Sequence, residues 1–194
     1  MKSDTPNTRA RSLCVVLLSG GIDSAACVRF YLQQHFSIRG LFVNYGQTSA
    51  VPEKRAAKAV AAYYRIPLAV VTWYGLEQKR SGAIKGRNAF LLFGGLMEIP
   101  GNVRVLAIGV HAGTNYADCS PIFVRKVQSV LDLYTAGRLQ LGTPFLKWTK
   151  RDIWAYAKTN NVPLHLTYSC ERGVKQPCGA CPSCRDLEIL HACS

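Results

Sequence analysis

Residues 13–18, Leu-Cys-Val-Val-Leu-Leu, form an unbroken apolar run that stops abruptly at Ser19-Gly20-Gly21-Ile22-Asp23-Ser24. A strand with one wet face alternates in polarity, so an unbroken run fits a strand covered on both sides. The chain must then supply helices for both faces, and its remaining pattern does so. Residues 24–34 read as a helix, 39–44 as a second strand, and Pro52 with Glu53 as the first turn of an alanine-rich helix reaching about residue 65. Leu68–Thr72 is a third strand, 88–98 a helix despite Gly94 and Gly95, and 103–108 a fourth strand. Residues 73–86 and 109–121 read as loops. A helix over about 123–135, a short strand near 139–141 and a helix over Lys150–Thr159 complete the alternation. The pattern predicts an α/β fold: an open, mainly parallel twisted sheet of Rossmann-like class with helices on both faces.

In such sheets ligands collect beyond the carboxyl ends of the strands, which is where residues 19–24 fall. Gly20 and Gly21 allow a tight turn that brings backbone amides close to phosphate oxygens. Ser24 opens the following helix, offers a hydroxyl and sits where the helix terminus favours an anion. Asp23 suits magnesium binding or loop orientation better than phosphate contact. An ordinary strand–turn–helix corner also carries such residues. The Gly-Lys-Ser/Thr of a Walker loop is missing, which disfavours transfer of a terminal phosphate.

Near the other end, Cys170, Cys178, Cys181 and Cys184 are separated by seven, two and two residues. Four thiolates at these spacings can close around one metal ion, with Gly179 and Pro182 easing the turns between them. Structural zinc and an iron–sulfur cluster both remain open on spacing alone. Cys14, Cys27 and Cys193 read as packing residues. The strand–helix alternation ends near Leu166, and the C-terminal residues beyond it are too few to hold themselves together without a metal. The organisation expected is a flexible start over 1–12, one domain over 13–166 and a metal-binding segment over 167–194 packed on the same domain.

At 194 residues and 48% hydrophobic content the chain can bury one substantial core. No stretch approaches the length of a membrane span, and residues 13–18 are too short for a signal-peptide core. A cytoplasmic location is expected, where thiols stay reduced and favour metal over disulfides. Twenty-four Lys and Arg against eleven Asp and Glu give a formal charge of +13. That balance attracts ATP, nucleotide-like substrates and RNA alike, and its dispersal along the chain weakens the nucleic-acid reading.

The Ser-Gly-Gly-Ile-Asp-Ser hexapeptide resembles the pyrophosphate loop of N-type ATP pyrophosphatases. Together with the cysteine quartet it resembles the 7-cyano-7-deazaguanine synthase (QueC) family over about residues 13–187. Asn44-Tyr45-Gly46-Gln47, Gly86-Arg87-Asn88, Gly109-Val110, Tyr116-Ala117-Asp118-Cys119, Thr143-Pro144 and Lys150 carry the likeness between the two motifs. It implies cleavage of ATP between its α and β phosphates, magnesium beside ATP, zinc rather than iron on the cysteines, and a homodimer. It further implies that a deazaguanine acid is adenylated and converted with ammonia to a nitrile, using a second ATP. ATP would be held by Leu18, residues 19–24, Asn44, Tyr45, Gln47 and Gly109, and the chemistry served by Ser19, Asp23, Ser24, Arg87 and Lys150. Arg87, Asn88, His111, Tyr116, Asp118 and Cys119 would meet the acceptor acid.

Two departures touch that acceptor side. The loop Gly109-Val-His-Ala-Gly-Thr-Asn-Tyr-Ala-Asp-Cys-Ser120 is shorter than the family pattern and lacks its usual aspartate and arginine, and the segment between Thr72 and Gly86 is also short. They motivate an alternative, transfer of a related activated acid to another amine on a protein or nucleic acid. An RNA-binding or RNA-modifying zinc protein is a third reading, against which stands the lack of a separate RNA-binding element. Cys119 with Asp118, and with His111 eight residues away in the same loop, also admits a thiol-nucleophile reading, set below substrate positioning because no local arrangement proves thiol activation. His35, His165 and His191 show no ligand spacing. On sequence alone Lys150 reads as solvated surface charge.

Overall fold

A computed structural model describes residues 11–73, 84–111, 113–114 and 116–192. Most of the expected flexible start, most of the 73–86 loop and Cys193 lie outside these residues.

Five strands, β1 (Leu13–Leu17), β2 (Ser37–Asn44), β3 (Leu68–Thr72), β4 (Val103–Ala107) and β5 (Gln140–Gly142), form one sheet in the order β3-β2-β1-β4-β5. Every neighbouring pair is parallel. The helices are α1 (Ile22–Gln33), α2 (Ala50–Tyr64), α3 (Arg87–Glu98), α4 (Pro121–Thr135), α5 (Lys150–Thr159) and α6 (Pro182–Ala192). Successive residues of β1 serve opposite faces. Cys14 and Val16 pack with α1, α2, α5 and Leu190 of α6, while Val15 and Leu17 pack with Leu92 of α3 and Val127 and Leu131 of α4. The unbroken apolar run is therefore a strand buried on both sides, as the sequence required.

Several element bounds differ from the sequence expectation, with α1 and β2 each beginning two residues earlier, at Ile22 and Ser37. Helix α4 begins at Pro121, two residues earlier, because Ser120 caps it by accepting from Phe123 N while Pro121 fills the first turn. Strand β5 is displaced by one residue toward Gly142. Helix α6 has no counterpart in the sequence pattern: it starts inside the cysteine segment and anchors on the core through Leu190.

Gly94 and Gly95 do not interrupt α3; they let it approach its neighbours. A Cβ at Gly94 would lie 2.3 Å from the Trp73 ring, and one at Gly95 3.3 Å from Leu17. On the opposite face Phe145 is fully buried, with ring centroids 6.0 Å from Phe30, 5.0 Å from Trp148 and 5.8 Å from Tyr156. This aromatic seam fixes the residues that lead into α5, and hence where α5 begins. Replacing Phe145 with alanine is expected to cost about 3–5 kcal/mol in urea unfolding. A loss under about 1 kcal/mol would show that the seam is not close-packed.

Candidate functional site

Strand order runs outward from β1 to β2 and β3 on one side and from β4 to β5 on the other. The chain thus diverges at the β1/β4 junction, where a crevice opens beyond the strand ends. A cavity of about 380 Å³ occupies that place, lined by the β1–α1 loop, the ends of β2 and β4, the start of α3 and the cysteine segment. It lies inside the 300–1,000 Å³ range of small-molecule sites.

The β1–α1 loop turns at Gly20, whose φ is +86° and whose absent Cβ would lie 2.5 Å from Glu53 O and 2.8 Å from Ala57 N. Both conformation and space exclude a side chain there. Ser24 Oγ donates to Gly21 O at 2.9 Å and Ser19 Oγ donates to Ser24 Oγ at 3.2 Å, so the two hydroxyls are held together at the cavity wall. The first amides of α1 have no intrahelical acceptors and belong to residues that line the cavity. A helix N-terminus joined to a glycine turn can receive phosphate.

Lys150, 127 residues away, donates to both oxygens of Asp23, at 2.5 and 2.7 Å. It is therefore part of the loop and not a solvated surface charge. The pairing lets Asp23 orient the loop, while each carboxylate oxygen keeps a further lone pair for a cation. Thr149 and Asp152 form a capping box that starts α5 at Lys150. His111 is buried, its Nε2 3.8 Å from Asp23 Oδ2 and its Nδ1 accepting from Gly113 N at 3.1 Å. Burial holds its pKa below the usual value, with the Lys150 charge adding to this and the Asp23 and Asp186 carboxylates opposing it. Gly109 permits the contact between the two loops, since a Cβ there would lie 2.8 Å from the Asp23 carbonyl carbon.

The residues expected near the acceptor also come together. Asn88 is buried, donates from its backbone to Asp118 Oδ2 at 3.3 Å, and donates from Nδ2 to Asp118 O at 3.4 Å and Cys119 Sγ at 3.8 Å. Arg87 Nε donates to Asn88 Oδ1 at 3.4 Å. Burial raises the Tyr45 phenol pKa, against the nearby Arg87 guanidinium. Gln47 accepts from Tyr45 N and donates to Val43 O and Glu53 Oε2, so its amide braces the loop. Asn44 Oδ1 accepts from Gly46 N and shapes the same turn. Arg87, Asn88, Tyr45, Gln47, His111, Tyr116 and Cys119 line the cavity; Leu18, Gly20, Asn44 and Asp118 are not among its lining residues. His111 faces Asp23 and Gly113 with its two nitrogens, while Cys119 meets the Asn88 amide. The geometry pairs no base with that thiol.

The four cysteine sulfurs lie within 4.8 Å of one another, with Cys178 and Cys184 3.9 Å apart and no disulfide among them. A single tetrahedral ion with thiolates at about 2.3 Å requires sulfur separations of about 3.8 Å, which this cluster fits. A cluster carrying each thiolate on its own iron needs them spread around a larger core. Amides of Ala180 and Cys181 hold the Cys178 thiol down to about 6, whereas burial pushes Cys184 up to about 12. The segment closes over the cavity: Tyr168 N donates to Gly20 O at 2.9 Å, and Gly173, at φ +69°, leaves no room for a Cβ beside Thr48 O. Tyr168, Ser169, Glu171, Pro182, Ser183, Asp186 and Leu187 form this wall. No sequence signal marks them, because only the folded quartet carries them to the loop.

The chain matches the family described as queuosine biosynthesis protein QueC over residues 13–91 and 75–188. It is 34% identical over 202 residues to a 7-cyano-7-deazaguanine synthase of Synechococcus sp. (strain CC9605), with 88% of each chain covered. Identity to a protein of the same name from Acetivibrio thermocellus is 31% over 198 residues, again covering 88% of each chain. Among solved structures, a 4-thiouridine synthetase–RNA complex with bound ATP superimposes with a TM-score of 0.55 at 19% identity, covering 93% of this chain and 50% of that one. That likeness extends to the fold.

The site geometry leads to two expected outcomes. A metal held by the quartet would anchor α6, whose His191 ring stacks edge-on to Trp154 at 4.9 Å, so chelation should unfold that helix and shift Trp fluorescence while most strand signal persists. The midpoint of thermal unfolding should fall by about 10 °C, equivalent to roughly 3 kcal/mol for a chain of this size. An unchanged fluorescence and midpoint would show that the quartet needs no metal. Because the His111 pKa is lowered in the folded state, an unfolded chain takes up its proton first as pH falls through about 6.5. Stability should therefore decline from pH 7.5 to 5.5 in urea titrations, and His111→Asn should remove part of that decline.

Proposed function

The chain belongs to the QueC family of queuosine biosynthesis proteins, and on that premise we propose that it is an ATP-dependent synthase converting 7-carboxy-7-deazaguanine and ammonia to 7-cyano-7-deazaguanine. One observation carries the reading: the Ser-Gly-Gly-Ile-Asp-Ser loop lies at the sheet's divergence point with Lys150 locked onto it by Asp23. A site built this way handles phosphate charge and leaves the neighbouring half of the cavity for an acceptor.

In the first step a carboxylate oxygen attacks the α phosphorus of ATP and pyrophosphate leaves. Amides of residues 19–24, the Ser19 and Ser24 hydroxyls and the Lys150 ammonium receive the developing negative charge in a partly enclosed cavity. Arg87, beside Tyr45 and Asn88 at the opposite wall, neutralises the carboxylate or the α phosphate during attack. Ammonia then displaces AMP from the acyl carbon to give the amide. Adenylation of the amide oxygen by a second ATP makes it a leaving group, and loss of AMP with that oxygen and two protons gives the nitrile. Asn88, Tyr116 and Cys119 position the acceptor ring, and Asp118 holds that group in place from behind. Magnesium bound to ATP would add charge neutralisation on the phosphates beside residues 19–24. Zinc on Cys170, Cys178, Cys181 and Cys184 is structural, because all four positions are filled by protein.

Incubation with the acid, ammonium and ATP should yield the nitrile by mass spectrometry, with AMP and pyrophosphate formed in proportion. Accumulation of the amide, or of a conjugate when another amine is supplied, would instead favour transfer to a different acceptor. Lys150→Ala should lower turnover by about 10²-fold or more, the cost of removing one preorganised donor to a developing anion. Turnover within about twofold of the parent would remove Lys150 from the chemistry. Metal analysis should return one zinc per chain, and a visible chromophore after anaerobic purification would contradict zinc.

A further inference from the structure

Among the described residues, the cavity wall has a charge balance opposite to that of the chain. The protein carries a formal charge of +13, yet the described ionised side chains lining its cavity are Asp23, Glu53, Glu171 and Asp186 with Arg87 and Lys150, beside the buried His111. ATP and a carboxylate acid are both anions, so this acidity does not serve them.

Three of the four carboxylates are engaged by the protein itself. Asp23 takes both its bonds from Lys150. Glu53 accepts from Ser49 Oγ at 2.6 Å and Gln47 Nε2 at 2.9 Å. Glu171 accepts from Ser183 Oγ at 2.8 Å and Ser183 N at 3.4 Å. Asp186 alone has no hydrogen-bond or ion-pair partner among the described residues, although it lies close enough to His111 to influence its protonation. It projects from the face of α6 that carries Pro182, Ser183 and Leu187 to the cavity, two residues beyond Cys184. The cysteine quartet thus fixes the start of the helix that bears it, and its exposure to solvent places it at the mouth.

Building on the synthase reading, we propose that Asp186 is the ammonium-binding residue, which gathers NH₄⁺ from solvent and holds it beside the activated acyl group. A strongly basic protein repels a small cation at long range, so capture requires a local, uncompensated carboxylate. A charge-assisted hydrogen bond from ammonium to Asp186 meets that need. The bound ion loses one proton to solvent at the mouth, and the resulting ammonia attacks the acyl carbon. The C–N bond forms, the C–O bond to AMP breaks, and the second proton leaves the nitrogen as the amide appears. Magnesium is the other cation at hand, but it is commonly held through substrate phosphates together with carboxylates near them. Asp23 lies within the phosphate loop itself, where a cation on ATP phosphates would be held, whereas Asp186 stands across the cavity on α6.

The test is the ammonium dependence of nitrile formation by the zinc-loaded protein and by Asp186→Asn and Asp186→Glu. Asp186→Asn should raise the KM for ammonium about tenfold, the effect of removing one charged acceptor, with the rate recovering at saturating ammonium. Asp186→Glu should regain most of the loss. Asp186 makes no internal bond, so zinc content and unfolding midpoint should match the parent and exclude misfolding as the cause. An ammonium KM within twofold of the parent overturns the assignment, as does a defect cured by added magnesium instead of ammonium. Parent protein that forms no AMP from the acid sinks the synthase reading and this inference with it; a parent that does so while Asp186→Asn keeps its ammonium KM sinks the inference alone.

Discussion

Gly20 is the point at which the separate parts of the molecule meet. Its left-handed backbone turns the chain from β1 into α1, its bare Cα lets Glu53 and Ala57 of α2 approach, and its carbonyl accepts from Tyr168 of the cysteine segment. A side chain would strain the turn and push α2 away together. Loop, helix and C-terminal wall are consequently set in one place by the absence of a few atoms. The same economy recurs at Gly109 and Gly173, where the backbone meets that of Asp23 and Thr48, and at Gly142, where it meets the Tyr31 and Val105 side chains.

Electrostatics then separates what the packing has assembled. Lys150 stands in the first turn of α5, the end of a helix that disfavours a cation. The Asp23 carboxylate and the capping Asp152 offset that cost locally. The pairing across 127 residues thus holds Lys150 at the loop from a position its own helix opposes. His111 contributes differently: poised neutral by burial, it accepts from Gly113 on one side and faces Asp23 on the other, so the β4 loop tracks the phosphate loop.

The cysteine quartet acts through the wall it holds. Its sulfurs lie within 4.8 Å of one another, an arrangement that could hold one metal ion, and thiolates so close would need a cation between them. Glu171, Asp186 and Tyr168 owe their places beside the loop to that closure. The quartet thus connects chemistry at the first strand to residues that a linear reading leaves in a tail.

Much of the fold was legible in the sequence because hydrophobic periodicity and glycine turns are local signals. The unbroken run in β1 announced a strand covered on both faces, and the parallel sheet followed from it. The glycine turn at Gly20 and the gathering of the four cysteines were equally readable, since each rests on a short sequence motif. Helix α6 was hidden because its apolar anchor, Leu190, shows no pattern until the metal segment folds. Lys150 looked like surface charge because its partner is distant in sequence, and Asp186 gave no signal at all. Sequence by itself determined which elements form and which short motifs can bind phosphate or metal. Tertiary structure alone decided which charges are paired and which is left free, because a carboxylate's partners depend on distances that only the closed chain defines.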